Sequence, residues 1–169
     1  MGNTQMAIEF LQLMEKGKRC EPNINLYNTI IDSLCKDKMV DEALGLLQEM
    51  IERDIPPNVV TYNCLIQGLC NLSIWKEVKR LFSDMKDYKI VPDVFTFSIV
   101  VDALCKEGHI EDAEKVVWIM IQQGQNPNLV TYNSLMDRYC LQRQIDEARR
   151  VFDTMVASGL TPDAHSYGI

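Results

Sequence analysis

Apolar positions along the chain fall in threes and fours, and the pattern restarts every 35 residues. Within Val94 to Asn128, the residues Phe97, Val100, Val101, Leu104 and Cys105 follow the 3, 4, 7, 8 spacing of an amphipathic helix. Lys106-Glu107-Gly108-His109 interrupts the pattern, and Gly108 suits a left-handed helix terminus. A second helical stripe follows at Ile110, Ala113, Val116, Val117 and Met120. It stops at Gly124, and Pro127 bars an easy continuation. Stretches such as Asn58-Val59-Val60-Thr61-Tyr62 carry the β-branched residues of a strand, but their place in the repeat makes them helix starts.

Three further combs share the period: Pro22, Pro57, Pro92, Pro127 and Pro162; Tyr27, Tyr62, Phe97, Tyr132 and Tyr167; and Met50, Met85, Met120 and Met155. A period between 20 and 50 residues marks a solenoid or array, in which stacked neighbours complete a core that no single repeat closes. The fold class is therefore all-α, built from tandem antiparallel helix-turn-helix repeats. The small residues Ala43, Val78, Ala113 and Ala148 let paired helices approach closely. Val40, Trp75, Ile110 and Ile145 take the first apolar position of each second helix, and all eight are expected to pack in the core.

Composition adds one complication. The chain has 47% hydrophobic and 24% charged residues, as a folded protein does, and no apolar stretch long enough to span a membrane. Its net charge is -7, from 17 Lys and Arg against 24 Asp and Glu, whereas tight nucleic-acid binders are usually basic. Seven of the acids have a structural address. Asp41, Glu42, Glu77, Glu111, Asp112, Asp146 and Glu147 fall in the first turn of the second helices, where the helix dipole favours them. Cys35, Cys70, Cys105 and Cys140 lie 35 residues apart, which marks a repeated position for buried, reduced thiols. Without Cys-x-x-Cys, or a histidine at ligand spacing from a cysteine, no metal site and no cofactor is expected. Residues 1–5 show neither a signal-peptide core nor an Arg-rich transit peptide, and the chain reads as a piece of a longer protein beginning mid-repeat.

The segments Val59-Val60-Thr61-Tyr62-Asn63-Cys64-Leu65-Ile66-Gln67-Gly68-Leu69-Cys70 and Leu129-Val130-Thr131-Tyr132-Asn133-Ser134-Leu135-Met136 closely resemble the pentatricopeptide repeat family. So do the endings Ile55-Pro56-Pro57-Asn58 and Leu160-Thr161-Pro162-Asp163. On that resemblance, complete repeats run 24–58, 59–93, 94–128 and 129–163. Residues 1–23 resemble the second helix of a preceding repeat and 164–169 the opening of another. Units of 35 resemble the P class, and the Leu-Cys-Lys style its fertility-restorer-like members in plants. The resemblance implies a right-handed superhelix that binds single-stranded RNA, one base per repeat, in an organellar RNA-processing or stability factor, mitochondrial or alternatively chloroplast.

The family reads bases with the fifth and last residues of each unit: here Asn28 with Asn58, Asn63 with Asp93, Ser98 with Asn128, and Asn133 with Asp163. Uracil and guanine present a ring N–H that a carboxylate accepts; cytosine and adenine present a bare nitrogen to which an Asn amide donates. Asp93 and Asp163 thus imply U or G, and Asn58 and Asn128 imply C or A. The family's fifth-position pattern, Asn with pyrimidines and Ser or Thr with purines, narrows this to 5′-C/U-U-A-U-3′. Base stacking is implied at the second residues Asn25, Val60, Phe95 and Val130, with Asn25 departing from the apolar pattern. Lys36 and Lys106 match the phosphate-contacting thirteenth residue, while Asn71 and Leu141 do not.

Other readings account for the same residues. Asn28, Asn63 and Asn133 could be exposed polar residues of a helix face, and Asp93 and Asp163 N-caps. A protein-binding solenoid like the tetratricopeptide repeat suits the acidic charge, but does not predict only Asn, Ser and Asp at eight matched positions. An enzyme is not expected: two histidines form no triad, and the zinc-deaminase and phosphate-loop signatures are absent. The sequon Asn71-Leu72-Ser73 is read as chance. Self-association through exposed helix faces at the ends of the array, and protein partners through regions outside this chain, are the remaining partner expectations.

Overall fold

The computed structural model describes residues 23–168. Its elements are α1 (Ile24–Lys36), α2 (Val40–Glu52), α3 (Val59–Asn71), α4 (Trp75–Asp87), α5 (Val94–Glu107), α6 (Ile110–Gln122), α7 (Leu129–Leu141), α8 (Ile145–Ala157) and the short α9 (Ala164–Gly168). No strand occurs among the described residues, and the β-branched stretches Val59-Val60-Thr61 and Val130-Thr131 are helical. None of the described helices is long and apolar enough to cross a membrane. The reading of residues 1–23 as a second helix lies, but for Asn23, outside the described residues.

The chain forms two compact units that divide between Val91 and Pro92. In the first, α1 packs on both α2 and α3, and α3 packs on α4. The first helix of each hairpin is buried on two sides: α1 buries Tyr27, Ile30, Ile31, Leu34 and Cys35. The second helices bury one stripe, as at Val40, Ala43, Leu47 and Met50 of α2. The second unit repeats this plan, with α5 against α6 and α7, and α7 against α8 and α9. Tyr132, Met136 and Met155 form a cluster there, flanked by Leu129, Val151, Phe152 and Leu160.

Both kinds of turn are closed by left-handed residues. Lys38, Ser73, Gly108 and Arg143 have φ of 64°, 59°, 92° and 60° between the helices of a hairpin. The amide two or three residues past each first helix then bonds back into it, as His109 does to the Leu104 carbonyl at 2.9 Å. Asp54, Lys89, Gly124 and Gly159 repeat the device after the second helices. There the methionine comb supplies the acceptor: the Ile55, Ile90, Gln125 and Leu160 amides bond to the carbonyls of Met50, Met85, Met120 and Met155. Pro57, Pro92, Pro127 and Pro162 follow, each directly before the N-cap of the next first helix, where a missing N–H does no harm.

Two packing expectations need correction. Ile145 is 60% exposed, because it opens the last second helix described and no further helix pair lies against it; Trp75 is half-buried. Cys140 is half-buried, whereas Cys35, Cys70 and Cys105 are buried. Burial pushes the Cys35 and Cys105 thiols up to about 12, which favours the protonated thiol.

Candidate nucleic-acid interface

Every first helix starts on a side-chain cap. The Oδ1 of Asn58 accepts from the Thr61 amide at 3.1 Å, that of Asp93 from Thr96 at 2.8 Å, that of Asn128 from Thr131 at 3.0 Å, and that of Asp163 from Ser166 at 2.8 Å. Asn23 caps α1 in the same way through Leu26, at 3.0 Å. The last residues of the sequence units, Asp93 and Asp163 included, are thus N-caps, which use donors that a helix start leaves unpaired.

In three of the first helices the fifth residue meets the next cap. Asn28 Nδ2 donates to Asn58 Oδ1 at 3.4 Å, Ser98 Oγ lies 3.2 Å from Asn128 Oδ1, and Asn133 Nδ2 donates to Asp163 Oδ1 at 3.3 Å. Asn63 and Asp93 belong to different units: Asn63 is buried on α3, and Asp93 caps α5. Asn28, Asn63, Ser98 and Asn133 are only 3–8% exposed, so they are not the solvated polar residues of a helix face.

The caps decide which atoms remain. At Asn128 the Thr131 amide and hydroxyl both donate to Oδ1, and the Ser98 hydroxyl, 2.8 Å from the Val94 carbonyl, lies 3.2 Å from that Oδ1. A carbamide can only satisfy them with its oxygen inward, which turns Nδ2 outward as a donor. Asn58 is held the same way by Thr61 and Asn28, again through Oδ1 alone. At Asp163 the bonds likewise fall on Oδ1, leaving Oδ2 as an outward acceptor. The Ser166 amide and hydroxyl hold the Asp163 carboxyl below the usual carboxylate range, with smaller help from Asn133 and His165. Asparagine and aspartate at one position therefore present opposite hydrogen-bonding characters.

The sequence profile of the PPR repeat family matches residues 22–71, 57–106, 99–140 and 127–169, and that of the pentatricopeptide repeat domain matches residues 1–37. The chain belongs to the pentatricopeptide repeat family. No curated protein sequence matches it. Among solved structures, it is similar to the pentatricopeptide repeat protein PPR10 in complex with an 18-nt psaJ RNA element, at 26% identity and a TM-score of 0.82, over 98% of this chain and 24% of that one. PPR10 from maize matches at 27% identity and 0.75, over 90% and 22%. The chain thus spans about a quarter of the length of PPR10. The PPR domain of Arabidopsis thaliana protein-only RNase P 1, in complex with tRNA, shares the fold at 13% identity and 0.75, over 99% and 88%.

In this pentatricopeptide repeat chain the second residues stand beside the caps in the first helical turn. Val60, Phe95 and Val130 are 49%, 60% and 54% exposed, apolar surface that the fold leaves uncovered, and Asn25 is exposed too. Lys36 and Lys106 are exposed in the last turns of α1 and α5, but each is engaged. Lys36 Nζ lies 2.5 Å from Asp32 Oδ2, and Lys106 Nζ lies 2.6 Å from Asp102 Oδ2. The sequence reading passed over Asp32 and Asp102, and also the hydroxyl comb Thr61, Thr96, Thr131 and Ser166. Those hydroxyls are buried to 5% exposure or less. The signal was present in the spacing: Asn58, Asp93, Asn128 and Asp163 each precede a hydroxyl residue by three, a capping-box relative.

Proposed function

We propose that the chain binds single-stranded RNA in a sequence-specific manner, one base per hairpin, as part of an organellar RNA-processing or stability factor. The carrying observation is the oriented cap: a carbamide N–H outward at Asn58 and Asn128, and a carboxylate oxygen outward at Asp163, each beside a buried fifth residue. The outward donor suits the bare ring nitrogen of cytosine or adenine, and the outward acceptor suits the ring N–H of uracil or guanine. Val60, Phe95 and Val130 offer stacking surface beside those atoms, worth roughly 1–3 kcal/mol per base where it is used. The likeness to PPR10, whose solved complex contains RNA, supports the same ligand class.

The expected core is 5′-C/U-U-A-U-3′, running parallel to the protein. Fluorescence anisotropy at low salt is expected to rank RNAs carrying CUAU or UUAU above CCCC, a scrambled sequence and the DNA equivalent. Asp93→Asn exchanges an acceptor for a donor at the second base and is expected to move its preference from U toward C. An unchanged preference at that base would overturn the assignment.

A further inference from the structure

We propose that the buried hydroxyl three residues after each cap, at Thr61, Thr131 and Ser166, is a positioning residue that fixes which atoms the fifth and last residues present to a base. The proposal rests on the base-reading function above and adds a third member to each reading pair. Thr61 Oγ1 donates to Asn28 Oδ1 at 2.6 Å and lies 3.2 Å from Asn58 Oδ1. Ser166 Oγ donates to Asn133 Oδ1 at 2.8 Å and lies 2.9 Å from Asp163 Oδ1. Thr131 Oγ1 lies 2.9 Å from Ser98 Oγ and 3.0 Å from Asn128 Oδ1. In three hairpins with different reading pairs, one hydroxyl touches both members.

Thr61 Oγ1 and Ser166 Oγ also accept the backbone N–H of their cap residue at 3.2 Å, closing a capping box, but capping does not require contact with the fifth residue. The backbone N–H of the same residue already serves as the cap's donor, and Leu26 fills that place in α1 with no hydroxyl at all. The hydroxyl matters for the fifth residue. With Asn28 and Asn133 it donates to Oδ1, so Nδ2 is turned toward the cap and one of its two N–H bonds is left uncommitted. Without the hydroxyl, either amide could rotate half a turn and present an acceptor where a donor stood. At Thr131 the hydroxyl spans Ser98 and Asn128 and reinforces the oxygen-in orientation of the Asn128 carbamide. Burial strengthens the effect, since no water can substitute for a donor that is 0% exposed.

Thr131→Val removes the hydroxyl while keeping the side chain's shape. The test measures anisotropy with CUAU RNAs carrying A or G at the third base, alongside circular dichroism to keep the comparison at equal folded fraction. The preference for A is expected to fall roughly three- to tenfold, the equivalent of one hydrogen bond. Preferences at the other three bases are expected to hold, and Thr131→Ser to restore the third. If the native chain reads its bases but Thr131→Val keeps the full A preference, or all four preferences weaken together, the positioning role is overturned and base reading stands. If the native chain shows no preference at any base, base reading itself fails, and the proposal with it.

Discussion

The first-helix tyrosines show how one methylene decides whether a buried hydroxyl is paired. Tyr27 Oη donates to Glu49 Oε1 at 2.8 Å, with the acid 22 residues further on. One period later the matching residues are Tyr62 and Asp84, and the shorter acid leaves the buried Tyr62 hydroxyl without a partner. Burial, with the Asp84 charge second, pushes that phenol up to about 12. In the next period Phe97 has no hydroxyl and Ile119 stands where the acid was, so nothing is owed. Tyr132 then finds Ser158 at 3.3 Å. Asp84→Glu is accordingly expected to pair Tyr62 and stabilise the fold by about 1 kcal/mol. That corresponds to a rise of roughly 2–4 °C in Tm by thermal circular dichroism. A lowered Tm would mean that Arg80, 3.7 Å from Asp84, needs the shorter side chain. Only the periodicity was legible in the sequence at this scale; whether a carboxylate reaches a phenol depends on helix separation, which no spacing rule contains.

Elements end where the backbone turns left-handed, and the chain meets that need unequally. Gly124 and Gly159 follow two of the second helices, but Asp54 and Lys89 follow the others at φ of 57° and 58°. A side chain there costs about 1–2 kcal/mol in backbone strain, and glycine returns part of that gain through the unfolded chain. Lys89→Gly is expected to stabilise by up to about 1 kcal/mol, readable as a higher urea midpoint at unchanged slope. Gly108→Ala is expected to lose at least that much, because an added Cβ at φ 92° would collide with the Arg138 guanidinium; an unaltered midpoint would show that Arg138 swings clear. Helix boundaries were the most legible feature of the sequence, since stripe, glycine and proline all pointed to the same places. The caps were half legible. Asp93 and Asp163 could be read as base readers or as helix caps, and the sequence treats these as rivals. The structure makes both Asp residues caps, and a cap uses one oxygen of the two. Ile145 and Cys140 misled because a periodic position predicts burial only where a neighbouring helix pair supplies the cover.

For the molecule as a whole, a net charge of -7 has to be reconciled with the polyanionic ligand proposed above. The acids in the first turns of α2, α4, α6 and α8 belong to the second helices, whereas the caps and fifth residues belong to the first. Asp32 and Asp102 are a different matter, because they hold the two lysines expected to meet phosphate. Two neutralised phosphates would give a log–log salt slope of about -1.4 on single-stranded RNA, and lysines already paired give less. Replacing both acids, Asp32→Asn with Asp102→Asn, is expected to raise affinity at low salt and to steepen the slope by up to about one unit. Titrations in a salt series measure both; an unmoved slope would take Lys36 and Lys106 off the phosphate path. The position of the caps has a last consequence, for how such arrays can be rearranged. On the proposed reading, the groups at Asn58, Asn128 and Asp163 are written across a border: a fifth residue and a cap come from one 35-residue stretch, and the hydroxyl that joins them comes from the next. Shuffling whole stretches therefore does not shuffle whole letters. A stretch that opens as α1 does, with Leu26 in the hydroxyl's place, would blur the letter of whatever stretch it was joined to while keeping its own.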